Sequence, residues 1–138
     1  ALRALKAATK KGVDVKILVP GKSDIFFMPA LETIFELTLL KYGAKVFRYS
    51  EDRVLHAKTI QIDDWAMVGT SNFNHRSLLF DLELDFVLSH STTRDELAQN
   101  FLSDLDQSKS LSLSTVYEKA GPFSRIGAKI IYLLRFMM

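Results

Sequence analysis

An α/β fold is what the order of periodicities along this chain predicts. Twice, a stretch with helical spacing of its apolar residues ends at a glycine and runs into a β-branched segment. A cluster of short strand-like runs follows, and a last helical stretch closes the body. The size agrees: 138 residues suit one domain that buries roughly two-thirds of its unfolded surface. With 48% hydrophobic and 25% charged residues the composition is globular, which excludes a disordered chain.

The elements follow in order. Residues 1–11 place Leu2, Leu5 and Ala8 on one helical face and Lys6, Lys10 and Lys11 on the other, and Gly12 is the stop. Over 13–19, Val13, Val15 and Ile17 alternate before Ile17-Leu18-Val19 runs on unbroken, the mark of a buried strand ending at Pro20-Gly21. A second helix is expected over 30–42, closed by Gly43, with a second strand over 44–49. Residues 58–63 and 65–69 read as two strands joined at Asp63-Asp64. After the polar loop 70–77, Leu82, Leu84, Phe86 and Leu88 would share one face of a strand over 82–89. Thr93 and Glu96 have capping-box spacing, and Leu97, Phe101 and Leu105 recur every four residues. Residues 108–114 are serine-rich and read as a linker, and the tail beyond is basic and apolar. The expected division is therefore a domain over 1–107 and a linker with its tail over 108–138.

Having no cysteine excludes disulfides, thiolate metal sites and a cysteine nucleophile. The net charge of +2 conceals a segregation: residues 1–22 carry +5, residues 23–108 carry −7 and residues 109–138 carry +4. The chain opens at Ala1 with no signal-peptide pattern. Its apolar end, 126–138, has 13 residues broken by Lys129 and Arg135, against roughly 20 needed to cross a bilayer. It reads as a soluble piece of something longer.

Chemistry concentrates in two short runs, Leu55-His56-Ala57-Lys58-Thr59-Ile60-Gln61-Ile62-Asp63 and Val68-Gly69-Thr70-Ser71-Asn72. Residues two apart on a strand emerge on the same face, so His56 and Lys58 stand side by side. An imidazole beside a fixed ammonium suits an anion between them, and phosphate is the natural choice. Asn72 adds an amide donor, Thr70 a hydroxyl, and the loop its backbone N–H groups. Glu83, on a later strand, is placed to accept the other ring N–H of His56 and fix its tautomer. His-x-Lys-x4-Asp alone is a loose motif; joined to Gly-Thr-x-Asn at the end of the next strand it becomes specific.

His56-x-Lys58-x4-Asp63 with Gly69-Thr70-Ser71-Asn72 resembles the HKD signature of the phospholipase D superfamily. The run from Gly12 to Asp24 is similar to the strand and loop before the motif in bacterial cardiolipin synthase-like members, as is Asn72-x3-Arg76-Ser77 followed by Asp81-Leu82-Glu83. The resemblance implies a phospholipase D-like sandwich, a central mixed β-sheet flanked by helices, of which this chain is one HKD half lacking its first strand. It implies phosphodiester transfer through a phosphohistidine, with neither metal nor cofactor. His56 would be nucleophile or general acid, and a C-terminal half favours the acid/base role. Lys58, Thr70 and Asn72 would hold phosphate oxygens, Glu83 would orient His56, and Arg76 would line the entrance or bind a headgroup phosphate. Asp63 is the motif's aspartate, with a structural role expected. Two departures stand out: five residues, 64–68, separate Asp63 from Gly69 where six is commoner, and threonine replaces the frequent serine at 70.

The implied partners are a second HKD half, from the same parent chain or a second copy, a phospholipid substrate and a membrane surface. The implied place is peripheral, on the cytoplasmic face of the inner membrane. Nucleic acid is disfavoured by the acidic middle of the chain. Two alternatives remain: a metal-independent nuclease working as a homodimer, and a half-domain that holds phosphate or lipid without turnover. Blander readings apply elsewhere. Asp64 is a turn residue, His75 and His90 are loop residues, and the apolar run 25–28 is a helix entry or a lipid-contacting surface. The tail over 119–138 is an interfacial helix or a helix docked on the missing half.

Overall fold

The computed structural model describes residues 2–21, 28–51, 54–72 and 79–119. They belong to two compact units, one built from residues 1–55 with 107–137 and the other from residues 56–106.

In the first unit, two helix–strand pairs repeat the same local solution. Helix α1 (Leu2–Lys10) leads into strand β1 (Lys16–Val19), and helix α2 (Met28–Lys41) into strand β2 (Lys45–Tyr49). Each helix ends on a glycine in the left-handed region, Gly12 at φ +84° and Gly43 at φ +91°. The residue after each glycine donates back to the carbonyl five positions earlier, Val13 to Ala8 at 3.1 Å and Ala44 to Leu39 at 3.1 Å. This satisfies the last carbonyls and turns the chain sharply, a conformation without steric cost only for glycine. β1 and β2 then pair in parallel, Lys16 opposite Lys45 and Val19 opposite Arg48.

Leu39, Ala44 and Val46 form the buried core, and Leu2, Leu5, Val15, Ile17, Val19 and Phe35 pack on it. The face of α1 read from its spacing is thus the one turned inward. β1 is shorter than the expected 13–19; ahead of it Val15 O accepts Lys45 N–H at 2.8 Å, and the Asp14 side chain pairs with Lys45 at 2.7 Å and Lys16 at 3.3 Å. The Lys45 hydrogen bond, then that of Lys16, holds the Asp14 carboxyl below its ordinary range.

Glu36 of α2 is the one buried charged residue among those described, 1% exposed, and it meets Arg48 of β2. The guanidinium spans both carboxylate oxygens, with Arg48 Nε donating to Oε1 at 3.1 Å and Nη2 to both. This clip ties helix to sheet from inside the unit.

The serine-rich segment is a correction to the linker reading. Ser108–Ser110 is strand β6, antiparallel to β2 with Phe47 opposite Ser110 and Tyr49 opposite Ser108. Composition could not show this, since the open edge of β2 supplies the partners. Ser112 then caps helix α4 (Leu113–Lys119): its hydroxyl accepts from Thr115 N–H at 3.2 Å, and its own N–H donates to Thr115 Oγ1 at 2.9 Å. That reciprocity is a capping box with threonine in place of glutamate. In the chain's numbering α3 is the earlier helix Ser91–Asp106, which belongs to the other unit.

The second unit is built on a three-stranded antiparallel sheet, β3 (Thr59–Ile62), β4 (Trp65–Gly69) and β5 (Asp85–Val87). Ile62 faces Trp65, so Asp63-Asp64 is a two-residue turn, and Asp63 sits at φ +51°, a region aspartate tolerates better than most residues. β5 is much shorter than the expected 82–89, and its apolar row is not buried: Leu82, Leu84 and Phe86 are all exposed. The paired strands end at Gly69 opposite Asp85; beyond it Thr70 N–H still donates to Leu84 O, but Leu84 N–H goes to the Thr70 hydroxyl and Ser71 bonds the Asp85 side chain. α3 begins at Ser91, two residues before the capping box expected at Thr93 and Glu96, with the His90 carbonyl accepting Arg94 N–H at 3.2 Å. Arg94 donates to Ser89 O at 2.6 Å, closing the turn before the helix. Leu97, Phe101 and Leu105 are its half-buried stripe, as their spacing predicts. Residues 25–27 of the apolar run and the tail beyond 119 lie outside the described residues.

Candidate functional site

The β3–β4 pairing assembles the site from the two motif runs. His56 is exposed and stands just before β3, with Lys58 half-buried two residues on. The Lys58 ammonium donates to the His56 carbonyl at 3.0 Å, which pins the cation beside the histidine. Lys58's own carbonyl accepts Gly69 N–H at 3.1 Å, so the His-x-Lys run lies directly across from the start of the loop 69–72. Asn72, the last described residue of this loop, is exposed.

Thr70 and Glu83 depart from expectation. Thr70 Oγ1 donates to Glu83 Oε2 at 2.5 Å and accepts Leu84 N–H at 2.9 Å. Its single proton is thereby committed, and Glu83 serves Thr70 where a bond to His56 was expected. The loop's backbone donors are also spent: Gly69 N–H on Lys58 O, Thr70 N–H on Leu84 O at 3.1 Å, and Ser71 N–H on Asp85 Oδ1 at 3.3 Å. The backbone donors of residues 69–71 are thus taken within the unit, and Lys58, Asn72 and His56 are the candidate side-chain partners for an anion.

Asp63 lies apart. The four residues of β3 separate it from Lys58, about 16 Å over five steps of strand rise, and it lies exposed in the turn. Arg76 and His75 lie outside the described residues. Among the described residues no group of three His, Asp or Glu side chains is arranged to hold a metal ion.

Two site residues escaped the sequence reading. Ser71 gives its hydroxyl to Asp85 Oδ2 and its N–H to Oδ1, so one carboxylate holds it at two points. The available signal was alternation: Glu83 and Asp85 are two apart, as are the positions that meet the consecutive hydroxyls Thr70 and Ser71 from one strand edge.

Gly69 shows how closely these parts approach. A Cβ there would overlap the Asp85 carboxylate and lie 2.5 Å from Leu84 O and 2.7 Å from Asp85 Cα. Two of these atoms are backbone, so the strand itself must move. Gly69→Ala is expected to destabilise the second unit by about 1–3 kcal/mol, the usual cost of overpacking. Urea unfolding followed by Trp65 fluorescence, a probe inside this unit, measures it; an unchanged midpoint would contradict the crowding.

The comparisons with known proteins identify the family and the fold. The family model described as cardiolipin synthase, PLD-like domain, matches residues 1–105. A cardiolipin synthase of Clostridium perfringens is 36% identical over 138 residues, covering 99% of this chain and 29% of the relative. One from Listeria monocytogenes serotype 4b is 34% identical over 112 residues, covering 80% and 23%. The chain thus spans less than a third of the length of the curated relatives it matches. Among solved structures, a phospholipase D family member, Nuc from Salmonella typhimurium, superposes with a TM-score of 0.65 at 20% identity, over 80% of this chain and 72% of that one. That likeness establishes the fold, a mixed α/β architecture of sheets flanked by helices. The chain belongs to the cardiolipin synthase family of phospholipase D-like domains.

Proposed function

We propose that this chain supplies one of two HKD motifs to a longer enzyme that transfers a phosphatidyl group between alcohols. The observation that carries the reading is the backbone bond from Gly69 to Lys58, which sets the His56-x-Lys58 run across from the loop bearing Asn72. A histidine of the second motif attacks phosphorus, the bond to the leaving alcohol breaks, and His56 gives that oxygen its proton. The acceptor alcohol then returns a proton to His56 as its oxygen displaces the phosphohistidine nitrogen. Lys58 and Asn72 neutralise and hold the phosphoryl oxygens throughout. Glu83 holds Thr70 through Oε2, and its other carboxylate oxygen is the one that would accept the His56 ring N–H.

The second motif comes from the rest of the parent or from another copy, and Leu82, Leu84 and Phe86 offer it an uncovered apolar surface. We assign a phospholipid as substrate and peripheral attachment to the inner membrane; among the described residues no helix is long and apolar enough to cross a membrane. The homodimeric nuclease is the weaker reading on charge. The described part of the site unit carries two basic side chains, Lys58 and Arg94, against nine acidic ones, no footing for a phosphate backbone.

The full-length parent, given phosphatidylglycerol vesicles in chelator, is expected to release glycerol and form diphosphatidylglycerol, read by mass spectrometry. Degradation of DNA under the same conditions, with no lipid product, would overturn the transferase reading.

A further inference from the structure

We propose that Asp85 is a positioning residue for the phosphate site, gripping Ser71 so that the loop carrying Asn72 keeps the shape an anion needs. The inference rests on the phosphate-site reading above and adds a residue to it.

The loop 69–72 cannot shape itself around a ligand. Every backbone N–H from Gly69 to Ser71 is bound within the unit, two to carbonyls of Lys58 and Leu84 and one to Asp85. Its course is imposed from the segment 83–85, where two carboxylates take the two consecutive hydroxyls, Glu83 that of Thr70 and Asp85 that of Ser71. The two contacts differ in kind. Glu83 holds Thr70 by the hydroxyl alone, whereas Asp85 holds Ser71 by hydroxyl and N–H on separate oxygens, which fixes orientation as well as place. Asn72 is the next residue, and its side-chain amide is the donor this loop would carry to the phosphate. Gly69 supports the assignment independently: the space its missing side chain leaves is where the Asp85 carboxylate lies.

Charge and position make opposite demands at Asp85. As a bare negative charge near an anion site it would weaken phosphate binding, so removing it would help. As a grip on Ser71 it strengthens binding, so removing it would hurt. Asparagine separates the two, since its Oδ1 accepts the Ser71 N–H while its amide donates to the Ser71 hydroxyl, with no charge left.

The experiment titrates inorganic phosphate into the isotopically labelled chain and follows the His56 imidazole and Asn72 side-chain amide signals by NMR. Asp85→Ala is expected to weaken phosphate binding at least about fivefold, the scale of losing one net hydrogen bond to a charged group. Asp85→Asn is expected to recover most of that loss, with Ser71→Ala in between. Phosphate affinity in Asp85→Ala equal to or above that of the wild type overturns the positioning role and leaves the phosphate site standing. A loss in Asp85→Asn as large as in Asp85→Ala also overturns it. Should Asp85→Ala lose its dispersed spectrum, Ser71→Ala alone answers, because unchanged affinity there removes the grip from the explanation. A wild-type chain with no saturable shift would instead bring down the phosphate-site reading on which the inference rests.

Discussion

Replacing His56 with alanine is expected to lower phosphatidyl transfer by the full-length parent by about 10²–10⁴-fold, the range for losing a general acid–base group. KM should change little. The positive charge that meets the phosphate belongs to Lys58, and Lys58 is held by the backbone carbonyl of His56, which alanine retains. In the proposed mechanism, removing the ring takes away the proton carrier and one anion contact and leaves those of Lys58 and Asn72 in place. Turnover is measured by release of glycerol from phosphatidylglycerol vesicles. A phosphodiester whose leaving alcohol is already acidic needs no protonation, so for that substrate His56→Ala should recover most of the wild-type burst of leaving group. If the burst is lost as completely as transfer is, His56 is the nucleophile and the acid/base assignment fails. If transfer itself stays within threefold of wild type, His56 has no chemical role.

Breaking the Glu36–Arg48 clip should give the largest stability loss available to a single substitution in the first unit. Glu36 is 1% exposed and Arg48 17%, so truncating either leaves its partner charged and shut away from water. Such half-removals cost about 3–5 kcal/mol, a large share of an ordinary folding free energy of about 5–15 kcal/mol. Arg48→Ala is the severer variant, because the carboxylate it strands is the more buried group. Replacing both at once, Glu36→Leu with Arg48→Met, removes the stranded charge and should restore stability to within about 1–2 kcal/mol of wild type. Urea unfolding followed by far-UV circular dichroism and tyrosine fluorescence reports it, since Tyr42, Tyr49 and Tyr117 lie in this unit. Single variants within about 1 kcal/mol of wild type would show the pair to be dispensable.

Much of the first unit was legible because its signals are local. The stripe of Leu2, Leu5 and Ala8 and the stops at Gly12 and Gly43 depend on residues within a turn or two of one another, and the helices form where these say. The hairpin around Asp63-Asp64 was legible for the same reason, as two β-rich runs with a turn pair between them leave few registers open. β6 was not. Ser108–Ser110 is a strand only because β2, some sixty residues earlier in the chain, leaves an edge unpaired, and serine composition carries no trace of a distant edge.

At the site the division is sharper. The amino-acid sequence by itself determined which chemical groups are present and that the His56-x-Lys58 run lies one hairpin from Thr70 and Asn72; the strand spacing expected to align His56 with Lys58 does not apply, since β3 begins only at Thr59. Which group binds which was settled only by the tertiary structure. A hydroxyl has one proton and a backbone N–H one bond to give, so the donors of loop 69–72 go to whichever acceptors lie nearest in space. For Thr70 and Ser71 those acceptors are on the segment 83–85: Glu83 and Leu84 take Thr70, and Asp85 takes Ser71. Nearness between residues 13 or 14 positions apart is a product of strand pairing and register, and no motif spacing encodes it.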